Sequence, residues 1–187
     1  MSRLLKPLAF LALIAAFAWV VPLPQSALSQ QSKKPEIHSD LSVLPERVRD
    51  MRTAILEAAR AGDVEAMRPV LEMNELLPTV TFGGSDDPIA FWKKVSGDGE
   101  GREVLAALVE VLEMPFARTN AGTPEEMYIW PYLAQLPPKD LTPAQKVDLF
   151  QLVSPKEAKT MEEFGDYIHY RLGIGRDGTW HFFVAGD

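Results

Sequence analysis

The sequence predicts an α+β fold: a mainly helical single domain with a small antiparallel sheet that includes a C-terminal β-hairpin. Three observations carry this. Apolar residues recur at helical spacing through the middle of the chain. Three later segments open with a hydroxyl residue, a proline and then Glu or Gln three positions on, the signature of a capped helix start. The last stretch, Tyr167 to Asp187, places two apolar runs either side of Arg176-Asp177-Gly178.

Gly178 supplies the positive φ that a hairpin turn needs. A two-residue Asp-Gly turn sets Trp180 and Phe182 against glycines. A three-residue turn, with Gly178 as a bulge, pairs Ile174 with Trp180, Leu172 with Phe182 and Tyr170 with Val184. The second register gathers Ile168, Tyr170, Leu172, Ile174, Trp180, Phe182 and Val184 on one face, so it is the one expected. His169, Arg171, His181 and Phe183 fall on the other, mixed face. Two strands alone are marginal in water, which requires helices or further strands over the apolar face.

The 187 residues, 47% of them hydrophobic, suffice for one globular domain with a real core. Arg3 and Lys6, an apolar run from Leu8 to Pro24 and the small residues of Ala27-Leu28-Ser29 read as a signal peptide over residues 1–29. The run is at the short limit for a membrane span and contains Pro22 and Pro24, which favours cleavage over an uncleaved anchor. Removing Arg3 and Lys6 leaves the exported chain more acidic than the −7 of the whole sequence. An acidic domain without a basic cluster repels phosphate backbones and anionic lipid, so neither nucleic acid nor, after signal removal, membrane is an expected partner. The absence of cysteine excludes disulfides, zinc-thiolate sites and thiol nucleophiles. The expected product is a cysteine-free, acidic, soluble exported protein, periplasmic in a Gram-negative host and otherwise secreted.

Residues 30–43 are polar and unpatterned and read as a flexible leader, with His38 solvated within it. Residues 44–187 form the expected domain. Pro45 suits a first helical turn, and Val48, Met51, Ile55, Leu56 and Ala59 follow at helical spacing up to Gly62. Asp63 caps a second helix that Pro69 bends or shortens. Thr79 to Phe82 is a short β-like run, and Asp87-Pro88 starts a third helix. Ser96 to Gly101 (SGDGEG) lacks both the Lys-Ser/Thr of a P-loop and the oxygen ladder of a calcium loop, so a plain loop is expected. Val104, Leu105, Leu108, Val109, Val111 and Leu112 spread around a helix that should be central. Thr123-Pro124-Glu125-Glu126, Thr142-Pro143-Ala144-Gln145 and Ser154-Pro155-Lys156-Glu157 predict three more helix starts, which assigns Glu126 and Glu157 capping rather than catalytic work.

Candidate chemistry is sparse. Tyr128, Trp130 and Tyr132 lie within five residues around Pro131; they line a groove or, as is commoner for aromatics, tie an irregular segment to the sheet. His169 and His181 sit about 13 Å apart along the strand in the expected register, too far to share a metal ion. No metal and no cofactor is expected. A Ser-His-Asp set finds no G-x-S-x-G elbow. Paired carboxylates remain as general acid and base, the least ordinary being those of Asp187, where side chain and chain end meet within reach of Arg171 or a lysine.

The ending GIGRDGTWHFFVAGD resembles the tail of an uncharacterised exported alphaproteobacterial family whose last residues follow a DGTW-x-FFVAGD pattern, and the similarity extends back through EEMYIWPYLAQ. The resemblance implies export and transfers no catalytic residue. The leading functional expectation is a binding or accessory protein of the cell envelope, with an envelope protein or cell-wall ligand as partner. Its expected contact residues are Tyr128, Trp130, Tyr132, His169, Arg171, His181 and Asp187. The rival is a metal-independent cell-wall hydrolase with two convergent carboxylates.

Overall fold

The computed structural model describes residues 34–186; the signal peptide expected over residues 1–29 and the site residue Asp187 lie outside them. In chain order the elements are β1 (Glu36–His38), α1 (Glu46–Arg60), α2 (Arg68–Glu72), α3 (Pro88–Val95), α4 (Arg102–Glu113), β2 (Phe116–Thr119), β3 (Met127–Trp130), α5 (Pro143–Leu152), α6 (Pro155–Phe164), β4 (Arg171–Gly175) and β5 (Trp180–Val184). The strands form one antiparallel sheet in the order β1-β2-β3-β4-β5. This is the expected α+β domain, with the C-terminal hairpin at one side of the sheet.

The helices form where spacing and caps call for them. α1 buries Val48, Met51, Ile55, Leu56 and Ala59, the predicted stripe, and ends before Gly62 at φ 72°. Asp63 accepts from the Glu65 amide and caps a 3₁₀ turn, while Pro69 in the first turn of α2 leaves that helix only five residues long. Asp87 caps α3 by accepting from the amides of Ile89 and Ala90. The SGDGEG loop is spent on its own geometry, with Asp98 accepting from Ser96 Oγ, Glu100 N and Gly101 N. α4 is central: Val104, Leu105, Leu108, Val111 and Leu112 are all buried, and Arg52 of α1 donates to the Leu112 carbonyl at the helix end. Both expected capping boxes of α5 and α6 are present with their reciprocal bonds.

Two expectations about strands need correction. Of the leader expected over residues 30–43, residues 30–33 lie outside the described residues, and the rest is not unpatterned, because Glu36–His38 pairs with Phe116–Arg118 as β1. His38 is half-buried and stacks on Phe116 with ring centroids 5.5 Å apart. That contact was illegible in a polar stretch whose partner strand lies far along the chain. The third capping box, at Thr123, starts no helix; its residues turn between β2 and β3.

The hairpin turn has the expected three residues, with Gly178 at φ 92° and Ile174 opposite Trp180. A Cβ on Gly178 would lie 2.9 Å from both Cβ and O of Arg47, so the turn packs directly on the start of α1. Beyond Trp180 the register departs from expectation. His181 is an extra residue in β5, so Phe182 faces Gly173, Phe183 faces Leu172 and Val184 faces Arg171. Phe183 therefore joins Leu172, Ile174 and Trp180 in the core, fully buried, and Phe182 moves to the opposite face. The bulge has a visible partner: Thr79 donates to the His181 carbonyl at 2.9 Å and accepts from the Phe183 amide at 2.9 Å.

The helix-covered side of the sheet carries the main core. Trp92 stacks on Trp180 at 6.2 Å and meets Phe183 edge-on, and Tyr170 stacks on Phe183 at 4.8 Å. A second cluster forms around Ala117, Tyr132 and Leu133 with Leu149, Leu152 and Met161 of α5 and α6. It covers only part of the other face.

Candidate functional site

The turn between β2 and β3 is pinned by a buried carboxylate. Thr123 Oγ1 accepts from the Glu125 amide and the Thr123 carbonyl from the Glu126 amide, one turn that stops because Met127–Trp130 pairs on both sides as β3. Glu126, 2% exposed, points inward. Its Oε1 accepts from Tyr128 Oη at 2.6 Å and Arg118 Nε at 3.1 Å; its Oε2 accepts from Arg118 Nη2 at 3.0 Å and the Gly122 amide at 2.7 Å. Burial pushes this carboxyl up, but the Arg118, Tyr128 and Gly122 donors outweigh it and hold it at about 2. Burial first, and Glu126 second, raise Tyr128 to about 12. Arg118 also reaches Glu36 of β1, at 3.5 Å.

The Glu126 carbonyl accepts from the Arg176 amide at 3.1 Å, which ties this loop to the hairpin turn. Between loop and turn lies a groove of about 920 Å³ with Thr123, Glu125, Met127, Gly175, Arg176, His181 and, from α1, Arg47 on its walls. Arg47 and Arg176 are exposed and make no salt bridge or side-chain hydrogen bond among the described residues. Two of the three acids at the groove behave differently, the third, Glu125, being exposed with no side-chain partner among the described residues. Glu126 is saturated, and Asp177, also at the groove, accepts from the Thr179 amide and hydroxyl at 3.0 Å, contacts that lower its pKa.

The structure separates the residues singled out from sequence. Tyr128, Trp130 and Tyr132 are 2%, 0% and 4% exposed, so they are core residues and not the groove-lining aromatics of the contact surface. Tyr128 and Trp130 lie on β3, mid-sheet between β2 and β4, and Tyr132 opens the 3₁₀ turn that follows, its hydroxyl donating to Asp148 at 2.6 Å. His169 is half-buried, edge-on to Tyr167 and Tyr170, and burial lowers its pKa. Arg171 and His181 do share a surface, the back face of β4 and β5, beside Phe182 and Phe82. Sequence patterns alone do not single out Arg47, Arg118 or Arg176, and they cast Glu126 as a cap. A signal existed for one pair: an arginine at the centre of FART and a glutamate just before MYIW become neighbours once the intervening NAGTP stretch is read as a hairpin connection.

No group of three or more His, Asp or Glu side chains is placed to hold a metal ion among the described residues. None of the helices among them is long and apolar enough to cross a membrane. Fold and site together define a small α+β protein with a groove at the hairpin tip and a pocket on the back of the sheet. No protein-family model, curated protein or solved structure matches the chain.

Proposed function

We propose that this chain is an exported binding protein of the cell envelope, and that the groove between the hairpin turn and the β2–β3 loop is its contact site. The observation that carries the reading is the charge pattern there: Arg47 and Arg176 stand unpaired among the described residues while two of the three groove carboxylates, Glu126 and Asp177, are engaged internally, which leaves two free arginines against the one free acid, Glu125. Such a groove takes an extended chain bearing carboxylates, as a cell-wall peptide or a segment of an envelope protein does. The signal-like N-terminus supplies the argument for export. The hydrolase alternative needs two convergent carboxyls, one of them kept protonated as a general acid; Glu126 and Asp177 are engaged and held below their ordinary range, so the groove offers Glu125 alone, which weighs against it.

Co-sedimentation with purified cell-wall sacculi is the test, with glycan cleavage followed in the same samples. The intact protein is expected to pellet with the wall and release no reducing sugar, and Arg47→Ala/Arg176→Ala to stay in the supernatant. Reducing-sugar release would establish the hydrolase reading in its place, and equal pelleting of both forms would remove the groove from the account. Sequencing the N-terminus of the exported product checks removal of residues 1–29.

A further inference from the structure

A second pocket opens on the back face of the hairpin, about 410 Å³ in volume and lined by Thr79, Phe82, Arg171, His181, Phe182 and Val184. It adjoins the groove only through His181, and its chemistry is independent of the groove's role. We propose that this pocket binds a small aromatic carboxylate, its ring between Phe82 and Phe182 and its charge on Arg171.

The walls are arranged for it. Phe182 lies flat on the sheet because its neighbour is Gly173, where a Cβ would sit 2.4 Å from the ring. Phe82 is 58% exposed, an aromatic side chain held out of the core on a segment that Thr79 fastens to β5 with two backbone hydrogen bonds. Arg171 lies 5.7 Å from the Phe82 ring centroid and is fixed by one nitrogen, Nη1, which donates to the Gly186 carbonyl at 2.9 Å and the Tyr167 carbonyl at 3.3 Å. Its Nε and Nη2 have no protein partner among the described residues. A guanidinium held by one arm with its remaining edge free is pre-organised for a carboxylate. No Asp or Glu lines the pocket among the described residues, so a bound anion meets no like charge there. The volume suits a single-ring molecule.

Calorimetric titration of the full exported chain with benzoate, benzamide and acetate tests this. Benzoate is expected to bind saturably and at least ~10-fold more tightly than either control, since benzamide lacks the charge and acetate the ring. Phe82→Ala and Arg171→Gln should each weaken benzoate ~10-fold or more while Arg47→Ala/Arg176→Ala leaves it unchanged. Because Phe82 is exposed, its truncation tests the site without threatening the fold, and Arg171→Lys, charged but without the fork, should recover little. The proposal is overturned if benzoate shows no saturable heat at millimolar concentration, if Phe82→Ala binds as the parent does, or if the response is lost with the groove arginines and survives Arg171→Gln.

Discussion

The two faces of the hairpin are built from the same short strands and do opposite work. On the front, Leu172, Ile174, Trp180 and Phe183 are fully buried against helices and hold the domain together. On the back, glycines at Gly173 and Gly175 leave flat ground on which Phe182 and His181 lie, with arginines and open pockets around them. One extra residue divides the labour. Without the bulge at His181, Phe182 would point to the core and Phe183 to solvent; with it, β5 gives two large rings to stability and a third to the surface. Stability and the proposed binding therefore rest on different side chains and should be separable by mutation.

The largest effect should come from the front face. Trp180→Ala removes a fully buried ring stacked on Trp92, at a cost of about 3 to 5 kcal/mol, and equilibrium denaturation should find much of the population unfolded. Next is the carboxylate that anchors the β2–β3 turn: Arg118→Met strands the buried Glu126 charge and should cost about 3 kcal/mol, most of it recovered in Arg118→Met/Glu126→Gln. The same carboxylate gives a pH test. Its pKa is lowered from 4.5 to about 2, so its contribution is fully present above 4.5 and is lost as the pH falls toward 2. Glu126→Gln should flatten that part of the acid denaturation curve.

Smaller changes probe the back face. Gly173→Ala forces the Phe182 ring aside and should cost about 1 to 3 kcal/mol, a loss that Phe182→Ala in the same chain relieves in large part, the flexible Met127 sulfur at 2.9 Å being the other contact. If the two substitutions are instead additive, Phe182 does not lie where the structure has it. The least costly is His181→Ala, an exposed side chain, with an expected shift of at most about 0.5 kcal/mol in the denaturant midpoint. A His181→Ala loss larger than that of Trp180→Ala would invert the assignment of faces.

Much of the fold was legible in the sequence because its signals are local. The α1 stripe, the capping boxes at Thr142 and Ser154 and the turn at Gly178 each act within a few residues, and each formed as read. What escaped was non-local. β1 exists because Glu36–His38 finds β2 nearly eighty residues on, and the bulge is bound to Thr79, about a hundred residues before it. Thr123 shows a local signal overruled: the capping pattern was sound, but strand pairing on both sides of β3 and the pull of Arg118 on Glu126 left room for only one turn. Of the expected site residues, Arg171 and His181 reached a surface pocket because strand alternation is local enough to read; Tyr128, Trp130 and Tyr132 were lost to the core, since density of aromatics does not say which way they face.

Thr79 has a consequence for how the molecule meets others like itself. A strand at the border of a sheet offers a row of unsatisfied amides and carbonyls onto which another chain can zip. At β5 that row is interrupted at its middle, because Thr79 occupies the outward carbonyl of His181 and the outward amide of Phe183 with its own backbone. The sheet is thus closed to growth where it is longest and most apolar.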